Sequence, residues 1–215
     1  MSLPLPAAAP RRGLPAAVDL RLHLEPGMRV GLYGGSFDPA HEGHAHVAQT
    51  ALMRLGLDRV VWLVSPGNPL KASAPADLRR RMAAARRIAP GPRMLVSDAE
   101  TRLGLRYTID TVRALRARFP GVRFVWIMGA DSLAGFHRWK GWAALMAEIP
   151  VAVISRPGMT LKAGFSPTAR RFAFARRPAW AAPVLAAMTP PAWILIQAPW
   201  NFASSTALRR IGRGS

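Results

Sequence analysis

Short apolar runs alternate along the chain with longer segments whose apolar residues recur at helical spacing. Short apolar runs that end at turn-forming residues are typical of buried strands, and apolar residues three or four positions apart are typical of helices that cover a sheet. The alternation predicts an α/β fold with a parallel sheet and helices on both faces. The predicted strands are Val30–Tyr33, Val60–Val64, Met94–Val96, Val122–Met128, Val151–Ile154 and Trp193–Ile196.

The segments after the first three runs predict amphipathic helices. We expect the first helix to end at Gly56, the second to be capped by Ser73, and the third to be capped by Thr108 and to end before Pro120. Repeated strand and helix units of this kind predict a Rossmann-like, doubly wound parallel sheet. The apolar stripes are Val47, Leu52 and Leu55 in the first helix, Leu78, Met82, Ala85 and Ile88 in the second, and Ile109, Val112 and Leu115 in the third.

The composition of the two ends of the chain differs. Residues 1–26 are rich in Pro and Ala and predict a disordered leader, whereas residues 27–215 predict a single domain that contains a less regular insertion at residues 157–192. Prolines interrupt the leucines of the leader, so it lacks the continuous apolar stretch of a signal peptide. No run approaches the ~20 apolar residues of a membrane span. We therefore expect a soluble cytoplasmic protein.

The chain is strongly basic. It carries 30 Lys and Arg residues against 11 Asp and Glu residues, a formal net charge of +19. Such a charge attracts anions, including nucleotides and nucleic acids, but it says nothing about the fold. The basic residues are spread over several predicted helices rather than gathered in one tail with interleaved aromatic residues. We therefore expect solvated arginine faces and do not expect a nucleic-acid or membrane partner.

The segment GGSFDPAHEGH, residues 34–44, follows the first predicted strand and opens the first predicted helix. Ligands of parallel α/β sheets bind beyond the carboxyl ends of the strands, where loops meet helix N-termini. Gly34 and Gly35 would let a ligand approach the backbone, and His44 would lie in the first helical turn, which favours an anion. With His41 as a second imidazole donor, the segment predicts a phosphate site. We expect no metal held by this pair, because no third ligand lies at a suitable spacing.

Several segments resemble known signatures. GSFDPAHEGH is similar to the histidine signature of the nucleotidylyltransferase superfamily, and SSTALRR, residues 204–210, resembles its second signature, with Ala203 in place of the usual Ile. RYTIDTV, FVWIMGADSLAGFHRW and VAVISRPG resemble elements of the nicotinate-nucleotide adenylyltransferases. The resemblance covers most of the chain. It departs at Arg106, where Ser is usual, and at Lys140, where an aromatic residue is common.

The resemblance implies an enzyme that transfers the adenylyl group of ATP to nicotinate mononucleotide, releasing pyrophosphate, in NAD biosynthesis. It implies ATP and the mononucleotide as partners, Mg²⁺ held mainly by the ATP phosphates as cofactor, and His44 and His41 as catalytic residues. The residues implied to bind ATP or its phosphates are Gly34, Gly35, Ser36, Phe37, His41, Gly43, His44, Lys71, Ser204, Ser205, Thr206 and Arg209. The residues implied to bind the nicotinate nucleotide are Tyr107, Thr108, Gly129, Asp131, Ser132 and Trp139.

Two alternatives stay open. Another adenylyltransferase of the superfamily, acting on nicotinamide mononucleotide or phosphopantetheine, would share the first signature. The phosphopantetheine enzymes usually carry Thr where His41 stands, and they lack the GADS and RPG elements. A basic nucleic-acid-binding module belongs to a different class, and the net charge is its only support.

Overall fold

A parallel sheet forms the centre of the molecule in the computed structural model, which describes residues 18–67, 76–155 and 164–198. Its strands are β1 (Arg29–Gly35), β2 (Arg59–Val64), β3 (Met94–Ser97), β4 (Arg123–Gly129), β5 (Val151–Ser155), β6 (Arg176–Arg177) and β7 (Trp193–Gln197). They form a seven-stranded sheet in the order β3-β2-β1-β4-β5-β7-β6, and every pairing is parallel. The predicted Rossmann-like, doubly wound fold is therefore confirmed.

Helices cover both faces of this sheet. They are α1 (Glu42–Arg54), α2 (Leu78–Ile88), α3 (Ala99–Arg102), α4 (Thr108–Arg118), α5 (Ala130–Gly135), α6 (Trp142–Glu148) and α7 (Pro167–Arg171), with 3₁₀ turns at Phe136–Arg138, Ala173–Ala175 and Ala179–Ala187. Successive strand residues point to opposite faces. Leu63 of β2 packs in the cluster that contains Leu115 of α4, while Trp62 packs in the cluster that contains Leu52 of α1. The sheet thus separates two apolar cores.

The six predicted runs all form strands, because each is apolar enough to be buried on both sides. In the described part of the predicted insertion, residues 164–192, the structure has α7, the two-residue strand β6 and 3₁₀ turns before β7, as the irregular composition indicated. The apolar stripes of α1, α2 and α4 are also confirmed, since their residues pack in the two cores. Gly56 follows α1 with a φ of +59°, a left-handed conformation that glycine adopts without strain.

Two predicted helix caps are not confirmed. The cap of α2 is Asp77, whose side chain accepts a hydrogen bond from the backbone N–H of Arg80 at 3.1 Å; Ser73 lies outside the described residues. The N-cap residue of α4 is Tyr107, and the predicted cap, Thr108, is the first residue of the helix. Asp77 stands directly before the first apolar position of α2, which is the usual place for a capping carboxylate.

The predicted boundary of the leader is wrong for residues 18–26. Leu20 and Leu22 are only 4% and 8% exposed and belong to the core that contains α4. The segment is also held by the Arg102 guanidinium, which donates to the Asp19 carbonyl at 3.2 Å. Pro and Ala dominate the sequence before this point, whereas Leu20 and Leu22 supply apolar surface that is worth burying. These residues therefore belong to the domain.

Candidate active site

The signature segment lies where the order of the strands reverses. The chain runs outward from β1 to β3 and then returns to β4, which pairs with the other side of β1. Tyr33 of β1 pairs with Ile127 of β4, so the carboxyl ends of the two strands, at Gly35 and Gly129, lie side by side. A crevice at such a point is the usual ligand site of doubly wound sheets.

The two signature histidines form a reciprocal cap at the start of α1. His41 is the N-cap residue, and its Nδ1 accepts from the backbone N–H of Gly43 at 3.0 Å. The Nδ1 of His44 accepts from the backbone N–H of His41 at 3.2 Å. The ring centroids lie 3.9 Å apart. A nitrogen that accepts carries no proton, so the proton of each neutral ring is on Nε2. The backbone thereby fixes both rings as Nε2–H donors.

The loop before the histidines has a strained residue at its centre. Phe37 has a φ of +46°, which is a rare conformation for an aromatic residue, and its side chain is 1% exposed. Its ring packs edge-on against Tyr33 and His44 and tilted against Trp62, with centroids 5.0–5.4 Å apart. Packing of this kind holds a strained backbone in place. The ring therefore supports the loop from within, and the predicted place of Phe37 among the ATP-binding residues stays a prediction.

Gly34 and Gly35 are required by packing inside the protein. A Cβ added to Gly34 would overlap the ring of Trp126, and one added to Gly35 would lie 3.1 Å from the ring of Phe37. The predicted reason for these glycines was the close approach of a ligand. The structure adds an internal reason, because the missing side chains make room for two aromatic rings, and the approach of a ligand stays a prediction.

A second group of predicted residues lies beside the ends of β4 and the start of α4. Among the described residues no side chain caps α4, so its first turn leaves Tyr107 and Thr108 beside uncapped backbone N–H groups. The Lys140 ammonium lies 4.2 Å from the centroid of the Tyr107 ring. Trp139 is half-buried and packs edge-on against Trp126, with centroids 6.3 Å apart. Trp126 also fills the space beside Gly34, so it lies between the two groups of site residues.

The turn from β4 into α5 brings three further predicted residues together. Gly129 is the N-cap of α5, Asp131 is exposed in its first turn, and Ser132 is half-buried. A Cβ added to Gly129 would overlap Oδ1 of Asp131. Glycine at this place therefore lets the carboxylate fold back over the start of the helix.

The remaining predicted site residues are outside the described part of the chain. They are Lys71, Ser204, Ser205, Thr206 and Arg209. Their roles stay predictions from the sequence.

Sequence reasoning missed Arg81, which is 3% exposed beneath the loops that follow β1 and β2. Burial lowers the pKa of its guanidinium, and the nearby carboxylates of Asp38 and Asp77 oppose that shift. A signal was available, because Arg81 stands four residues before Ala85, on the apolar stripe of α2. An arginine on a buried stripe needs internal partners.

Glu100 is a second buried charged residue that the sequence did not reveal. It is 6% exposed in α3, and its Oε1 accepts a hydrogen bond from the Thr111 hydroxyl of α4 at 3.2 Å. Burial raises the pKa of this carboxyl to about 7, although the hydrogen bond from Thr111 works in the opposite direction. The contact joins α3 to the helix whose first turn carries Tyr107 and Thr108.

Within the described ranges of the chain, no group of three or more His, Cys, Asp or Glu side chains is arranged to hold a metal ion. Likewise, none of the helices in these ranges is long and apolar enough to cross a membrane.

Comparisons with known proteins agree on one family. The cytidylyltransferase-like family model matches residues 32–211. A relative from Caulobacter sp. named "Probable nicotinate-nucleotide adenylyltransferase" is 68% identical over 183 residues, which are 85% of this chain and 97% of the relative. Relatives with the same name from Cereibacter sphaeroides and Roseobacter denitrificans are 56% and 49% identical, over 86% and 94% of this chain and 99% and 98% of their own lengths.

Two solved structures share the fold. They are the Plasmodium falciparum nicotinic acid mononucleotide adenylyltransferase complexed with APC and the same enzyme complexed with NaAD. Their TM-scores are 0.63 and 0.62, at 16% sequence identity, over 85% of this chain and 83% of theirs. At this identity the likeness confirms the architecture of the sheet and its helices.

Proposed function

The chain belongs to the nicotinate-nucleotide adenylyltransferase family, and from that premise we propose that it transfers the adenylyl group of ATP to nicotinate mononucleotide, in NAD biosynthesis. The products are nicotinate adenine dinucleotide and pyrophosphate. Three relatives at 49–68% identity carry the name of this activity. The observation that carries the proposal is the backbone-fixed pair of imidazoles at the start of α1, beside the ends of β1 and β4.

The reaction needs neither a general base nor a nucleophilic side chain from the protein. The attacking group is the mononucleotide phosphate, whose second pKa of about 6 leaves it ionised at neutral pH. The phosphate oxygen attacks the α-phosphorus of ATP, and the bond from that phosphorus to the bridging oxygen of pyrophosphate breaks. The protein must hold two anions in line and stabilise the charge that develops on the oxygens.

The histidines suit this task. His41 and His44 each present an Nε2–H donor, because the backbone occupies each Nδ1. We assign them to the α- and β-phosphates, where charge grows in the transition state. The start of α1 adds the positive end of its helix dipole, which favours an anion. Lys71, Arg209 and Ser204 to Thr206 are proposed for the outer phosphates on the strength of the sequence signatures alone.

The residues around α4 and α5 suit the nicotinate half. The uncapped first turn of α4, at Thr108, favours a carboxylate over a neutral amide. Trp139 offers a ring on which the pyridine can stack, and the carboxylate of Asp131 can accept from a ribose hydroxyl. The Lys140 ammonium, over the Tyr107 ring, adds positive charge on the same side.

We propose Mg²⁺ as a cofactor that the ATP phosphates would hold for the most part. Among the described residues no carboxylate cluster offers a separate binding place, and Mg²⁺ commonly binds through substrate phosphates. Bound there, the ion would neutralise charge on the departing pyrophosphate.

Pyrophosphate release with three acceptors tests the proposal. Purified protein receives ATP, Mg²⁺ and either nicotinate mononucleotide, its amide or phosphopantetheine, at equal concentrations. We expect the highest kcat/KM with nicotinate mononucleotide. A higher kcat/KM with one of the other two acceptors would assign the protein to another branch of the superfamily.

A further inference from the structure

We infer that Arg81 is a positioning residue that clamps the histidine loop to the loop after β2 and so shapes the polyphosphate side of the site. The inference rests on the proposed function, because it concerns how ATP is held. Among the described residues, the hydrogen bonds of Arg81 go to backbone carbonyls and not to the imidazoles or to the residues assigned to the nicotinate half. Its role would be to fix the backbone from which the phosphate donors project.

One guanidinium joins three separate segments of the chain. Arg81 Nε donates to the carbonyl of Ala76 at 2.7 Å, and Nη1 donates to the carbonyls of Ser36 and Ser65, each at 2.8 Å. Nη2 adds a longer contact with the carbonyl of Pro66 at 3.5 Å. The planar guanidinium has donors that point in several directions at once, whereas the lysine ammonium is a single compact centre. Only arginine can therefore hold all of these carbonyls in their present places.

The clamp acts at the strained point of the signature loop. The Ser36 carbonyl belongs to the peptide that precedes Phe37, the residue with a φ of +46°. Strained residues persist only where the surroundings hold them. The packed Phe37 ring holds this loop from one direction, and the hydrogen bond from Arg81 holds its backbone from another. The loop then continues directly to His41.

Two further contacts tie the same segments together. The backbone N–H of Ser65 donates to the Gly35 carbonyl at 2.9 Å, and the backbone N–H of Ala76 donates to Oδ2 of Asp38 at 3.4 Å. Ala76 is thus bound on its carbonyl side by Arg81 and on its N–H side by Asp38. The loop after β1, residues 65–66 after β2 and the residues that begin α2 thus form one hydrogen-bonded unit with Arg81 at its centre.

Stability alone is a weak reason for this arrangement. Removing a guanidinium from water is unfavourable, and apolar side chains of similar volume often serve a core as well or better. The Arg81 guanidinium donates its hydrogen bonds to the carbonyls of two loops at the ligand edge of the sheet. A role in positioning the ATP side explains both why a charged side chain is buried here and why it donates to these two loops.

Arg81→Lys tests the inference, with Arg80→Lys as the matched control on the exposed face of the same helix. For each variant we would measure kcat, both KM values, the Tm, and ATP affinity by titration calorimetry without an acceptor. For Arg81→Lys we expect KM for ATP to rise and kcat to fall, with kcat/KM for ATP lowered at least ~10-fold. KM for nicotinate mononucleotide should stay within about twofold, and Arg80→Lys should behave as wild type.

Two results would overturn the inference. Wild-type kinetics in a folded Arg81→Lys variant would show that the clamp is not needed, and equal rises in both KM values would show general loosening. Should Arg81→Lys not fold, Asp38→Ala removes the opposite contact to Ala76 and must raise KM for ATP selectively; unchanged ATP kinetics there would refute the clamp. The calorimetric ATP affinity needs no acceptor, so it tests the clamp even if the acceptor proves to be different.

Discussion

The signature histidines have two duties on two different ring atoms. Nδ1 of His44 caps the backbone of α1, while Nε2 is proposed to serve the phosphates. Asparagine can place an acceptor near the position of Nδ1, and glutamine can place a donor near the position of Nε2. We expect His44→Asn to keep the stability of the protein and to lower kcat by about 10²–10³, as for the loss of other transition-state donors.

His44→Gln is the matched control. Glutamine at this third helical position is a usual capping-box residue, so its Oε1 should keep the hydrogen bond from the His41 backbone N–H, and its amide N–H should retain more of kcat than His44→Asn. Urea denaturation and steady-state kinetics on both variants separate the two duties. Equal kcat values for the two variants would remove Nε2 from the proposed mechanism.

The nicotinate side holds a testable preference for a charged ring substituent. Lys140 lies over Tyr107, next to the uncapped turn of α4, and should favour the carboxylate of nicotinate over the neutral amide. We expect kcat/KM for nicotinate mononucleotide to exceed that for the amide by at least ~10-fold, the size of one charge-assisted contact of about 1.5–3 kcal/mol. Lys140→Met should reduce this ratio.

Trp139→Ala is the comparison for Lys140→Met. Stacking does not distinguish acid from amide, so this change should weaken both substrates and leave the ratio of their kcat/KM values nearly constant. A ratio that changes with Trp139 and not with Lys140 would reverse the assignment of the two side chains.

At the scale of elements, the segment at residues 18–26 belongs to the folded domain. Leu22 is 8% exposed in the core, and the neighbouring His23 is exposed. We expect Leu22→Ala to lower the free energy of unfolding by about 2 kcal/mol, because it leaves a cavity, and His23→Ala to have little effect. A chain that starts at Gly27 should be destabilised more than one that starts at Val18. Equal urea midpoints for these two chains would show that the packing of Leu20 and Leu22 contributes nothing.

The contact between α3 and α4 predicts a pH dependence of stability. The pKa of Glu100 rises from 4.5 to about 7 on folding, so the folded protein keeps a proton that the unfolded chain has lost between these values. Stability from this group therefore falls as the pH rises from about 4.5 to about 7 and is constant above that. Relative to wild type, Glu100→Gln should gain at most about 3 kcal/mol between pH 5 and pH 8. A difference in the free energy of unfolding between the two proteins that stays constant across this pH range would contradict the prediction.

Elements differed in how well the sequence predicted them. The strands were predictable because burial on both faces demands uninterrupted apolar runs, and the signature at the start of α1 carries its own spacing. The place of Arg81 on the apolar stripe of α2 indicates its burial, but its partners could not be predicted, because only the topology brings residues of the segments after β1 and β2 over it. Thr108 looks like a cap, yet the backbone begins the helix one residue earlier. Tertiary contacts of this kind are absent from local patterns.

At the scale of the whole molecule, the net charge of +19 acts on both substrates, because both are anions. A positive field raises the rate of encounter with an anion and is screened by salt, with a Debye length of about 8 Å at 0.15 M. We expect kcat/KM for ATP and for nicotinate mononucleotide to fall as the ionic strength rises, while kcat changes little. The general charge alone would also bind nucleic acid weakly, and filter binding with and without ATP separates that attraction from the enzyme site.

The position of a charge should matter more than the total. Arg106 precedes Tyr107 at the ligand edge of the sheet, whereas Arg123 begins β4 at the opposite edge, and both are exposed. Arg106→Ser and Arg123→Ser remove the same charge, and the first restores the residue that is usual in the family. We expect Arg106→Ser to lower kcat/KM for the mononucleotide at low salt and to flatten its salt dependence, because Arg106 is the chain neighbour of Tyr107 at the start of α4. Arg123→Ser should leave both quantities near wild type. Equal effects of the two changes would mean that the field acts through net charge alone, and that the departure from the family at Arg106 has no part in substrate capture.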